Sequence, residues 1–82
     1  MTKKKRIAKY KEDFGEFLGS KRVERGWTQD CLADKLGNNR QNISAMERGK
    51  LNPTLIKLKD ISDAYGLTVG ELLKEFDDWQ RQ

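Results

Sequence analysis

Residues 28–53 read TQDCLADKLGNNRQNISAMERGKLNP, and the stretch carries the start and stop signals of two short helices. Thr28 follows the apolar Trp27 and can cap a first helix, while Asp30 sits in its first turn, where a carboxylate complements the helix dipole. Leu32, Ala33 and Leu36 recur at three- and four-residue steps and so share one face. Gly37 can adopt the left-handed conformation that ends a helix. Asn39 is placed to cap a second helix, Arg40 to Arg48, with Ile43 and Met46 inward and Gly49 as its stop. Asn52-Pro53 then disfavours helix at residue 52.

The same grammar recurs on both sides. Upstream, Phe14, Phe17, Leu18 and Val23 fall near a helical period, with Lys21 and Arg22 between them, and Gly26 ends the run. Downstream, Thr54 can cap a helix carrying Leu55, Leu58, Ile61, Ala64 and Tyr65, which stops at Gly66. Thr68 and Glu71 have the spacing of a capping box and open a last helix with Leu72, Leu73, Phe76 and Trp79. Nothing alternates with period two, so strands are not expected. The predicted fold is all-α, with five helices in one domain over residues 10–82 and the two-helix unit at 28–48.

Composition excludes several classes of function. With 82 residues, one cysteine (Cys31) and no histidine, the chain can form neither an intrachain disulfide framework nor a His-based catalytic set or zinc finger. No Gly-rich phosphate loop is present, so an enzyme is not expected, nor is any metal or cofactor. No apolar run is long enough to span a bilayer and no secretory signal is visible; a cytoplasmic, bacterial or phage-encoded protein is expected.

The net charge of +4 is unevenly spread. Residues 1–11 hold six of the 17 bases and no acid, leaving 11 bases against 13 acids in the remainder. The apolar content of the tail (Ile7, Ala8, Tyr10) is too small to offset the entropy of ordering it, so residues 1–9 are expected to be a disordered basic arm. Such an arm is either a solvated terminus or a strand laid along phosphate. Within the domain, residues 19–53 carry seven bases and four acids, whereas residues 54–82 carry four bases and six acids. One side is therefore basic around the two-helix unit.

A pair of helices that reads DNA needs the first to cross the backbone and the second to enter the major groove. The second must dock one apolar face and present one polar face to base edges. With Ile43 and Met46 inward, Arg40, Gln41, Ser44 and Ala45 fall on the other side. Arg suits guanine and Gln suits adenine as bidentate partners, Ser is tolerant, and Ala offers a methyl to thymine. None of the four is acidic, which avoids repulsion by phosphate.

The order of these residues closely resembles the lambda-repressor/Cro-like (XRE-type) helix-turn-helix family, in the run from Thr28-Gln29 through Leu32-Ala33 and Gly37, then Ile43-Ser44, Glu47, Gly49 and Asn52-Pro53. The resemblance spans about residues 14–73. It implies that Arg40, Gln41, Ser44 and Ala45 read bases in double-stranded DNA. It places Thr28, Gln29, Asn42, Arg48, Lys50 and Asn52 near the phosphodiester, with Gln29 also buttressing the second helix. Arg22 and Glu47 match a partly buried salt bridge that positions the fold and does not read DNA. Three residues depart from the pattern: Asn38 stands where a small apolar residue is usual, so the turn is expected either to be looser or to use an Asx-type bond, Lys21 stands at a frequent Leu position, and Cys31 at a charged one. Trp27 and Tyr65 replace leucines and are expected in the core.

Leu73, Phe76 and Trp79 form a stripe with two readings. They either fold back on the first and fourth helices or make a two-fold contact between copies, whose paired second helices would meet a near-palindromic operator at a spacing of about 34 Å. The expected function is that of a repressor-like, sequence-specific transcriptional regulator working as a homodimer. An antitoxin or restriction–modification controller of the same fold is an alternative, as is a protein-interaction adaptor that bridges a regulator and the transcription machinery; a toxin or RNA polymerase would then be the partner. No effector domain follows the motif, so small-molecule sensing is not expected.

Overall fold

Each helix begins at a side chain that accepts a hydrogen bond from an otherwise orphaned amide. Thr2, Thr28, Asn39, Thr54 and Thr68 take the amides of Lys5, Cys31, Asn42, Lys57 and Glu71. In the computed structural model, which describes residues 1–82, these caps open α1 (Lys3–Glu24), α2 (Gln29–Leu36), α3 (Arg40–Glu47), α4 (Leu55–Ala64) and α5 (Val69–Gln80). There is no strand. The Thr68–Glu71 capping box is complete, and Gly37 closes α2 at φ 61°.

The first helix corrects the expectation of a disordered arm. Residues 3–9 are helical and continuous with the rest of α1, although residues 1–10 are all exposed. Apolar burial was the wrong criterion for this segment. Packing from Phe14 onward has already nucleated the helix, so adding turns towards the N-terminus costs only propagation. Lys, Arg and Ala propagate well, no glycine or proline precedes Gly15, and Lys9 pairs with Asp13 at 2.6 Å one turn on.

The core draws on all five helices: Phe14, Phe17 and Leu18, then Leu32 and Ala33, Ile43 and Met46, Ile61 with Tyr65, and Leu72 with Phe76. Two residues assigned to inward faces are not buried: Val23 is 64% exposed and Leu55 71%. Both lie at helix ends, where the periodic stripe runs past the neighbouring helices. Lys21 takes up the inward position near the end of α1 instead. Its ammonium pairs with Glu75 at 2.5 Å and lies 5.0 Å from the centre of the Tyr65 ring. A lysine stem and two such contacts thus replace a leucine.

The α5 stripe folds inward. Phe76 has no exposed surface, with its ring centre 5.0 Å from Phe14, 5.2 Å from Tyr10 and 5.4 Å from Phe17. Trp79 packs on Phe17 at 6.1 Å, and Leu73 also joins the core cluster. This removes Phe76 from the two-fold contact envisaged for Leu73, Phe76 and Trp79, since it has no surface left for a partner, whereas Leu73 and Trp79 are only half-buried.

Candidate nucleic-acid interface

The position of α3 is fixed first by backbone. A Cβ added at Gly15 would lie 2.5 Å from the carbonyl oxygen of Glu47 and 2.7 Å from that of Met46. Helix α1 therefore passes the C-terminal turn of α3 at a distance that only glycine permits. Gly49, at φ 73°, makes the return contact; a side chain there would meet the Glu12 backbone at 2.8 Å. Neither contact is evident in the sequence: Gly15, inside a helix, has no periodic signal of its own, and Gly49 reads only as a helix stop.

A polar clamp then sets the rotation of α3. Arg22 donates from Nε to Glu47 Oε2 at 2.7 Å and from Nη2 to Oε1 at 3.1 Å, while Nη1 reaches the Trp27 carbonyl at 2.7 Å. The side chains are only 15% and 11% exposed, so the pair is partly buried, as the family resemblance implied. The hydrogen bond to Glu47 holds the Arg22 guanidinium above its ordinary pKa, against the opposing effect of burial. Gln29 extends the clamp, donating from Nε2 to Glu47 Oε1 at 3.1 Å. Its Oε1 accepts from Arg40 Nε at 3.5 Å, at the limit of a hydrogen bond. One polar chain thus runs from α1 to the first residue of α3.

The exposed side of α3 carries Arg40 and Gln41, with Ser44 and Ala45 half-buried beside them and Ile43 and Met46 beneath. Glu47 is the only acid in the helix and is turned into the clamp. Asn38 does not make the bond to the amide two residues on that an Asx turn requires; it is held by two other contacts. Its Oδ1 accepts from the Asn39 amide at 2.8 Å and from Asn42 Nδ2 at 2.6 Å, which tightens the turn between α2 and α3.

The other sequence-assigned residues surround this helix. The Thr28 hydroxyl caps α2 by accepting from the Cys31 amide at 3.0 Å. Arg48 Nε returns to the Ser44 carbonyl at 3.3 Å and leaves its remaining donors outward. Lys50 and Asn52 are exposed in the α3–α4 loop. Cys31 is half-buried and stands alone, and no group of three His, Cys, Asp or Glu side chains is arranged to hold a metal. No helix is long and apolar enough to cross a membrane.

This arrangement coincides with a family profile described as helix-turn-helix, which matches residues 18–72. A transcriptional regulator of helix-turn-helix type from Sinorhizobium fredii is 34% identical over 70 residues, 80% of this chain and 91% of its own. A prophage-derived regulator of Bacillus subtilis is 39% identical over 61 residues, which is 74% of this chain and 56% of that one. The transcriptional activator BcrR of Enterococcus faecalis is also 39% identical over 61 residues, but these make up 30% of its length. The chain belongs to the lambda-repressor/Cro-like, XRE-type helix-turn-helix family.

Proposed function

We propose that this DNA-binding transcriptional regulator acts in the manner of a repressor, with α3 lying in the major groove of an operator. The observation that carries the proposal is the exposed face of α3, which presents Arg40 and Gln41 without a carboxylate while Glu47 is held beneath. Arg40, Gln41, Ser44 and Ala45 face base edges in this reading. Thr28, Gln29, Asn42, Arg48, Lys50 and Asn52 meet phosphate and fix the register. The second Nε2 proton of Gln29 remains available to phosphate, since Glu47 engages one of the two.

Two copies on a near-palindromic operator complete the proposal. With Phe76 inside the fold, the contact between them falls to Leu51, Leu55 and Ile56, which are 39%, 71% and 69% exposed and adjoin Asn52. Selection from a random duplex pool tests both parts. Enrichment of an inverted repeat is expected, and Gln41→Ala should relax preference at one position at a cost of about 1–3 kcal/mol. A pool that shows no preferred sequence would refute operator reading. Sedimentation of Leu55→Glu/Ile56→Glu beside wild type tests the pairing surface, with dissociation of a wild-type dimer expected.

A further inference from the structure

The N-terminal half of α1 offers a second surface that base reading does not use. Lys3, Lys4, Lys5, Arg6, Lys9 and Lys11 lie within residues 1–11 with no acid among them. Of the six, only Lys9 has an ion-pair partner, Asp13. Because the segment is helical, each basic side chain leaves the backbone on a defined side of the helix. Lys3, Arg6, Ile7, Tyr10 and Lys11 share a shallow recess with Asn52 of the α3–α4 loop. At 100° per residue, Lys5 and Lys9 lie on the far side of the helix, and neither borders that recess.

We infer that this helical overhang is a phosphate-binding rail, continuous with the Asn52 loop, that grips the DNA backbone outside the base-reading site. Lys3, Arg6 and Lys11 make the contacts, while Lys5 and Lys9 face away. The inference rests on the proposed seating of α3 for its direction, because Asn52 is what joins the two surfaces. Charge complementarity favours a polyanion, and continuity with the α3 face favours duplex DNA. An anionic membrane is disfavoured because cations surround the overhang on all sides, and Ile7 and Tyr10 do not make the broad apolar face that lying in a bilayer interface requires. Rigidity distinguishes the rail from a tail: a disordered arm would use all six charges alike.

The test uses the full chain and a mixed-sequence duplex of about two helical turns, with binding measured across a salt series. Each phosphate contact contributes about 0.9 to the slope of log K against log salt, so Lys3→Gln/Arg6→Gln should reduce the slope by nearly 2. Its affinity should fall about tenfold or more near 0.1 M salt. Lys5→Gln/Lys9→Gln removes the same charge and should leave the slope almost unchanged. Equal losses from the two pairs would overturn the rail. Ala8→Pro keeps all six charges but interrupts the helix, with the loss followed by circular dichroism. It should weaken binding as Lys3→Gln/Arg6→Gln does, and unchanged affinity would overturn the rail. Tighter binding of wild type to phosphatidylserine vesicles than to the duplex would also overturn it. These readouts are independent of sequence, so failure of Gln41→Ala to alter base preference would refute the α3 register and leave the rail standing.

Discussion

Helix α1 holds α3 and α5 by opposite means. Against α3 it presents a glycine, so that backbone meets backbone, and an arginine that is hydrogen-bonded twice to Glu47. Against α5 it presents Tyr10, Phe14 and Phe17, which enclose Phe76. Aromatic packing supplies burial but tolerates small shifts in ring position. Close backbone approach and a bidentate ion pair supply less burial but set position and rotation. The contact that sets geometry lies under the DNA-reading helix, and the contact that supplies burial lies at the far end.

The largest effect on stability should come from the far end. Phe76→Ala removes a fully buried ring and is expected to cost about 3–5 kcal/mol in chemical denaturation. Phe76→Leu should recover roughly half of that loss. For either variant, whatever fraction remains folded should bind DNA with unchanged affinity. Reduced affinity of the folded protein would show that α5 also positions α3.

Gly15→Ala should cost about 1–3 kcal/mol through overpacking, because the added methyl meets the carbonyls of Met46 and Glu47. Unlike Phe76→Leu, it should weaken operator binding even under conditions where the protein is fully folded, since α3 must move away. Wild-type affinity in folded Gly15→Ala would erase the distinction between the two contacts. A smaller effect of the same kind is expected from Glu47→Gln, at about 2 kcal/mol, since Arg22 keeps a hydrogen-bond partner but loses its counter-charge in a site only partly open to water. Base preference should then broaden at the position proposed for Arg40, because the Gln29 link to α3 depends on Glu47. Selection from a random pool would show it.

These contacts differ in how far they can be read from sequence. The caps at Thr28, Asn39, Thr54 and Thr68 and the Gly37 stop are local properties and appear as read, and so does the apolar periodicity except at Val23 and Leu55, where the stripe outruns its neighbours. The Arg22–Glu47 pair was accessible only through family resemblance, since nothing local links residues 25 positions apart. The direction of the α5 stripe was undetermined because periodicity defines a face and not what covers it. Lys21 reads as a gap in the apolar face of α1 until Glu75 and the Tyr65 ring are brought beside it. The helical overhang was missed for a different reason: composition reports the absence of burial, while helix propagation from a packed segment requires none.

Tyr65 stands between the two contacts and provides the finest test. Its ring stacks on Trp27 at 5.0 Å and lies under Lys21, which is bound to α5, while its phenol feels the Glu47 charge of the clamp. The residue is 4% exposed and its hydroxyl has no hydrogen-bond partner within the chain. Burial first, and then Glu47, push the phenol from its usual pKa up to about 12. A phenol is charged when deprotonated, so folding favours the protonated form. Below pH 10 both folded and unfolded chains carry the proton, and stability is fully present. Between about pH 10 and 12 the unfolded chain ionises first, binds fewer protons, and the folded state loses on the order of 2 kcal/mol. Tyr65→Phe removes this titration while keeping the ring stack. At pH 7 its stability should match wild type within about 1 kcal/mol, because the hydroxyl lost made no bond. From pH 10 upward it should become progressively the more stable of the two, and taking the difference between the variants cancels the lysines that titrate in the same range. Parallel curves for the two proteins would mean that the phenol reaches solvent, and that the clamp and the aromatic end are not sealed against each other at Tyr65.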